Sequence, residues 1–278
     1  MLKNEYLVYI NANGESLHFG YTYELIPTIL TDELDNDIRT SKFALQNGST
    51  VNSTALGDRE ISLTCIYAIS KATEIESKLK KVLNPTIDGT FYKYTGNEYK
   101  KITVHLTSIP YITRSQGMGQ VEIVMRATQP FYEVTKKTEI LAKEQALLMF
   151  PINFIEQNVF GYRVTQVETL IQNSGDIETG FICVFKANGN VTNPSIINNL
   201  TGEQIKLQCE LVKGDTIKII NLPYNKMVLK NDTKDFSLLN LSETTFFNLL
   251  VGRNKLGINA DANLINLESR IEFTPLYL

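Results

Sequence analysis

Histidine is the side chain that most readily moves a proton near neutral pH, and the commonest ligand for transition metals. This chain has two, His18 and His105. Two imidazoles cannot furnish a three-histidine zinc centre or a histidine-rich non-haem iron site within one chain. His105 lies in Ile102-Thr103-Val104-His105-Leu106, an alternating run that sets it opposite Ile102, Val104 and Leu106, so it reads as a partly exposed strand residue and not as a general base. The densest acidic cluster is Asp32, Glu33, Asp35 and Asp37. Carboxylate clusters suit calcium, but this one lacks the Asp-x-Asp-x-Asp-Gly spacing and the bidentate Glu at its twelfth position, so a solvated acidic stretch is expected. Cys65, Cys183 and Cys209 are odd in number, far apart and without metal-site spacing. Each sits in an alternating apolar run and is expected to act as a small buried hydrophobe. The Gly-x-Ser-x-Gly elbow, the Walker-type phosphate loop, Gly-x-Gly-x-x-Gly and His-Glu-x-x-His do not occur. Paired carboxylates for glycoside hydrolysis acquire their geometry only in three dimensions, and nothing marks such a pair. The expectation is a protein with no catalytic, cofactor-binding or metal-binding residues, and so no enzyme.

Recognition chemistry is equally sparse. A net charge of −3 offers no general attraction to a polyanion, and no lysine and arginine cluster is interleaved with aromatics, so sequence-specific nucleic-acid binding is not expected. There is no tryptophan, the best platform for the apolar face of a sugar, and most tyrosines and phenylalanines fall on alternating strand positions where packing explains them. No run of about 18 apolar residues occurs, so no membrane insertion is expected. MLKNEYLVYINANG has no apolar stretch long enough for a signal peptide, and the product is expected to accumulate in the cytoplasm where it is made. Hydrophobic residues at 43% and charged residues at 21% are those of a folded globular chain, and 278 residues allow two cores.

The elements that would position these side chains are mostly strands. Tyr6, Val8 and Ile10 alternate into Asn13-Gly14, which suits a type I′ turn with two positive φ values, so the chain is expected to open with a hairpin. Thr31 to Asp58 is polar, carries a second Asn-Gly at Asn47-Gly48, and is long for a loop; it is a candidate partner-contacting arm, or else a solvated long hairpin. Arg59 to Tyr67 alternates cleanly, with Ile61, Leu63, Cys65 and Tyr67 on one face. The period then changes, because Ile75, Leu79, Val82 and Leu83 fall at helical spacing, Thr73 with Glu76 suits a capping box, and Asn84-Pro85 stops the helix. Strand patterns resume at Thr90 to Tyr94, Lys101 to Ile109 and Gln120 to Ala127.

The charged and then apolar stretch around 131–155 reads as the boundary, with Ala142 to Phe150 open to a short helix. Beyond it Phe181, Cys183 and Phe185 alternate, as do Ile205, Leu207, Cys209 and Leu211 before Lys213-Gly214-Asp215, and Ile217 and Ile219 after it, which predicts a tight hairpin. Regular turn signals predict a sandwich with jelly-roll-like strand spacing. The fold class is therefore mainly β: an N-terminal β domain with one helix over 1–135, a linker over 136–155, and a C-terminal β-sandwich over 156–278.

The order of the opening hairpin at Asn13-Gly14, the polar excursion, Arg59-Glu60-Ile61-Ser62-Leu63, the helix ending near Leu83, and Asn84-Pro85 before Gly89 to Tyr94 resembles that of the siphophage distal tail protein family. In the second half Asn173 to Gly180, Thr201-Gly202-Glu203, Lys213-Gly214-Asp215 and Phe246 to Asn254 resemble the recurrent turns of the same family. The resemblance implies a structural virion protein whose N-terminal domain closes a homo-hexameric ring and whose galectin-like C-terminal domain projects outward. It implies a hub joining the tail tube protein to the tail-tip or baseplate protein and the host-adsorption apparatus. On that reading Asp32, Glu33, Asp35 and Asp37 are candidates for the ring interface or the lumen, where an acidic lining lets DNA slide. The rival expectation is a tail module binding host cell-wall sugars through its C-terminal domain.

Overall fold

The computed structural model describes residues 5–45, 47–115, 117–146, 161–164, 168–223 and 225–278. The chain divides into two units, Met1–Val134 with Leu278, and Thr135–Tyr277. Both are built from antiparallel strands, so the mainly-β expectation is met.

The first unit comprises strands β1 (Glu5–Asn11), β2 (Ser16–Phe19), β3 (Ile26–Ser41), β4 (Thr50–Ala68), β5 (Gly89–Thr95), β6 (Glu98–Leu106), β7 (Tyr111–Ser115) and β8 (Met118–Ala127), with helix α1 (Ala72–Val82) after β4. The sheet runs β2-β1-β5-β6-β8-β4-β3, and β7 also pairs with β8. Period-two alternation sends one side of each strand to the core. Ile61, Leu63, Cys65 and Tyr67 of β4 are all buried, as are Phe91 of β5, Ile102 and Val104 of β6, and Val121, Ile123 and Met125 of β8. The β1–β2 hairpin forms, but by a different turn. Only Gly14 has positive φ, at 81°; the Asn11 carboxamide oxygen accepts from the Asn13 and Glu15 amides at 3.1 and 2.9 Å and organises the loop from inside. A side chain that mimics a backbone turn removes the need for a second left-handed residue.

The helix is where its spacing puts it, with Ile75, Leu79 and Val82 buried. Its start differs from the expected capping box. A 3-10 turn at Ile69–Lys71 leads directly into α1, Lys71 takes the N-cap position without a side-chain bond, and Thr73 falls inside the first turn. Glu76 is turned to tertiary partners instead, accepting from the Tyr67 hydroxyl at 2.8 Å and from Arg114 through Nε at 2.9 Å and Nη2 at 2.8 Å.

The second unit is a two-sheet sandwich. One sheet places Leu267–Phe273 and Phe181–Ala187 at its centre, flanked by Lys137–Ala146 on one side and Thr216–Leu222 on the other; the second orders Glu168–Asn173, Gly252–Ala262, Val191–Asn198 and Gln204–Lys206. Phe181, Cys183 and Phe185 face Ile196, Ile205, Leu256 and Ile258 in one apolar core. Two readings are corrected. Lys213-Gly214-Asp215 does not close a hairpin: Glu210–Leu211 pairs with Val191–Thr192, whereas Thr216–Leu222 pairs with Phe181–Lys186, so the turn carries the chain from one sheet to the other. Both flanking runs alternate because both sheets face one core, and alternation does not report which sheet a strand joins. Residues 137–146 of the expected linker are a strand, paired from Lys137 to Ala142 with Ser269–Phe273 and from Lys143 to Ala146 with Gly161–Val164, which also replaces helix over 142–146; the remainder, 147–155, lies outside the described residues.

Candidate functional site

Half of the β3–β4 hairpin is sheet and half is not. Arg59–Ala68 of β4 has β8 on its far side, but Thr50 to Asp58 pairs with β3 alone. Asn36 to Leu56 therefore forms a two-stranded arm, extending roughly 20 Å past the sheet at about 3.3 Å per residue. Its described residues are exposed apart from a partly buried Ser41. The register makes it amphipathic. Asn36 faces Leu56, Ile38 faces Thr54 and, past an irregularity, Thr40 faces Val51. Cross-strand partners point to the same side of a sheet, so Ile38, Val51 and Leu56 share one face, exposed to 51%, 57% and 44%. Glu33, Asp35 and Asp37 alternate onto the other side and are exposed. Three register shifts along the hairpin add local bend and twist. Because β3 ends the sheet, its outer backbone edge pairs with no strand among the described residues.

The base of the arm is clamped. Asp32 Oδ1 receives Arg59 Nη1 at 2.7 Å, and Oδ2 receives Lys93 Nζ and, at 2.8 Å, the Tyr132 hydroxyl. Arg59 Nε donates to the Pro130 carbonyl at 2.6 Å, and its guanidinium lies 5.0 Å from the Tyr132 ring centre. Burial opposes ionisation of Asp32, but hydrogen bonds from Lys93 and Arg59 outweigh it and hold the carboxyl below the ordinary aspartate range. The four candidate acids are thus split: Asp32 is an internal anchor at 20% side-chain exposure, and Glu33, Asp35 and Asp37 line the outside. Their contiguity suggested one group, whereas alternation would have separated Asp32. The apolar face was missed because its members lie on either side of the Asn47-Gly48 turn and meet only in register.

His105 is exposed on β6 with Nδ1 2.8 Å from Asp88 Oδ1. The Cys65 and Cys183 thiols are pushed up to about 12 by burial, which keeps them protonated and unreactive; Cys209 is half-buried. Half-buried tyrosines cluster in the first unit, Tyr6 stacking on Tyr94 at 4.5 Å and Tyr99 tilting against it at 5.6 Å. In the second unit, buried asparagines pin the loop over residues 246–254: Asn221 donates to the Phe247 carbonyl at 2.5 Å, Asn173 to Leu249 at 3.1 Å and Asn254 to Leu250 at 2.7 Å. These bonds tie the loop to the strands beside it, and the Leu249 carbonyl also accepts from the Thr179 amide at 3.0 Å.

Residues 174–277 match the family described as siphovirus-type tail component, C-terminal domain. Among solved structures, the chain is similar to the SPP1 Dit (gp 19.1) protein, described as a paradigm of the hub adsorption apparatus in phages infecting Gram-positive hosts. The TM-score is 0.72, with 12% identity, over 98% of this chain and 99% of that one. The phage P2 baseplate in its activated conformation with Ca also matches, at TM-score 0.46 and 11% identity over 96% of this chain and 97% of that one, too low a score to argue from. No curated protein matches in sequence. The resemblance to distal tail proteins read from the turns is borne out by the family match in the second unit and by the fold across both.

Proposed function

We propose that this chain is a structural component of a siphovirus-type tail, acting as the distal hub between the tail tube and the tail-tip or baseplate assembly. The match of residues 174–277 to the tail-component family carries this reading, and the likeness of fold to the SPP1 hub protein supports it across the whole chain. In finer detail, the first unit closes a homo-hexameric ring and the galectin-like second unit projects outward. The physical support is the arm. A ring of identical subunits needs a head-to-tail contact that closes, and an exposed ribbon with an apolar face and an open strand edge is suited to such a contact. Of the four acids, Glu33, Asp35 and Asp37 face the lumen or a ring interface, and Asp32 stiffens the arm that presents them. The protein assembles in the host cytoplasm and works without catalysis; sugar binding by the second unit is the rival outcome.

The test is the mass of the purified protein by light scattering, followed by negative-stain imaging. A ring of six subunits with an axial hole is expected. A monomer at every concentration, with a host-wall glycan bound by the second unit, would replace the hub reading with the sugar-binding one.

A further inference from the structure

At the end of the hairpin opposite the arm, the first unit opens a cavity of about 700 Å³ between β2, α1 and the start of β3. Its lining includes Leu17, Leu25, Ile66, Tyr67, Ile75 and Met118, together with Lys71 and Lys78. The volume lies within the range of clefts that bury most of a drug-sized ligand. We propose that this groove receives the arm of a second copy of the chain, seating Ile38, Val51 and Leu56 on its apolar floor. This deepens the hub reading and rests on it.

Three observations single out a second copy as the occupant. First, the chain carries both halves of the contact, at opposite ends of one hairpin. β3 runs 16 residues from Ile26 beside the groove to Ser41 near the tip, about 50 Å at 3.3 Å per residue. An arm directed away from its own groove can fill only a neighbour's, and a patch that fits a different surface of an identical molecule makes a head-to-tail contact. Second, the size is right. The arm from Asn36 to Leu56 offers about 20 residues, and a stable interface uses about 20 to 30 a side. Third, the charges are complementary. Lys71 and Lys78 outnumber the one carboxylate among the groove's lining residues, Glu24, and Glu33, Asp35 and Asp37 run along the ribbon leading into the arm. Lysine stems can lie against the apolar ribbon while their ammonium groups curl towards carboxylates on its outer side. Lys71 already holds Glu24 at 2.5 Å in the single chain, and seating the arm would give it further acidic neighbours.

Cross-linking tests the contact directly. Ile38→Cys and Met118→Cys are made in separate full-length chains, each with Cys209→Ser; Cys65 and Cys183 are fully buried. Both substituted positions are exposed, at 51% and 55%, so the single chain should fold unchanged. Mixing the two and oxidising mildly is expected to yield a covalent dimer that neither forms alone. Met118→Glu is expected to abolish the oligomer with the melting temperature of the monomer kept. An unsubstituted ring with no cross-link, and a Met118→Glu chain that still assembles, would overturn the groove and leave the hub reading standing. An unsubstituted chain that never assembles would overturn both.

Discussion

Asp32 shows how much a single carboxylate can anchor. It balances a guanidinium that is almost fully enclosed, Arg59 at 5% side-chain exposure, together with Lys93 at 24%. Removing one partner of a buried pair leaves the other charge desolvated, so Asp32→Ala is expected to cost about 3 kcal/mol, read from urea unfolding. The pH dependence has a fixed sign. Asp32 ionises more readily folded than unfolded, so its stabilisation is complete above the unfolded value of about 4 and is lost as pH falls through the lower folded value. Asp32→Ala should therefore flatten the acid limb of the stability profile, and an unchanged limb would contradict the anchor. Gly119 is a second residue with no latitude. A Cβ there would lie 2.2 Å from Tyr67 Cζ, so Gly119→Ala should cost about 1 to 3 kcal/mol through displacement of that ring.

At the scale of the element, helix and arm give opposite expectations. Leu79 is fully buried on α1, and Leu79→Ala should cost about 2 to 5 kcal/mol in the thermal or denaturant transition. Leu56, exposed at 44% on the arm, is not among the buried residues of the core. Leu56→Ser should leave monomer stability within about 0.5 kcal/mol while lowering the oligomeric mass. A stability loss comparable to that of the helix variant would mean that the arm packs against its own subunit. The helix was legible because its apolar residues recur every three or four positions. Its N-terminus was not, because the preceding 3-10 turn and the tertiary pull of Tyr67 and Arg114 on Glu76 outweigh the local capping preference.

At the scale of the molecule, two separate cores predominate. Phe185 lies fully buried in the second unit's core, and Asp32 in the first unit's ion cluster. Phe185→Ala should cost about 3 to 5 kcal/mol, and combined with Asp32→Ala the two effects should add within about 0.5 kcal/mol. Strong coupling between them would show that the units unfold as one.

Much of this protein is written locally. The alternation of Ile61, Leu63, Cys65 and Tyr67 or of Phe181, Cys183 and Phe185 determines which side of a strand is buried, since a side-chain period of two admits one apolar face. The alternating runs around Cys65 and Cys183 already marked those two as buried strand residues, and the order of turns already carried the family resemblance. Tertiary structure decided what depends on pairing across distance. It set Asp32 apart from Glu33, Asp35 and Asp37 by supplying Arg59, Lys93 and Tyr132 from remote positions. It brought Ile38, Val51 and Leu56 to one face through a register that no local window contains. It sent the two runs flanking Lys213-Gly214-Asp215 to opposite sheets. In each case local pattern specifies which side chains seek burial or charge, and only the folded chain specifies the partner.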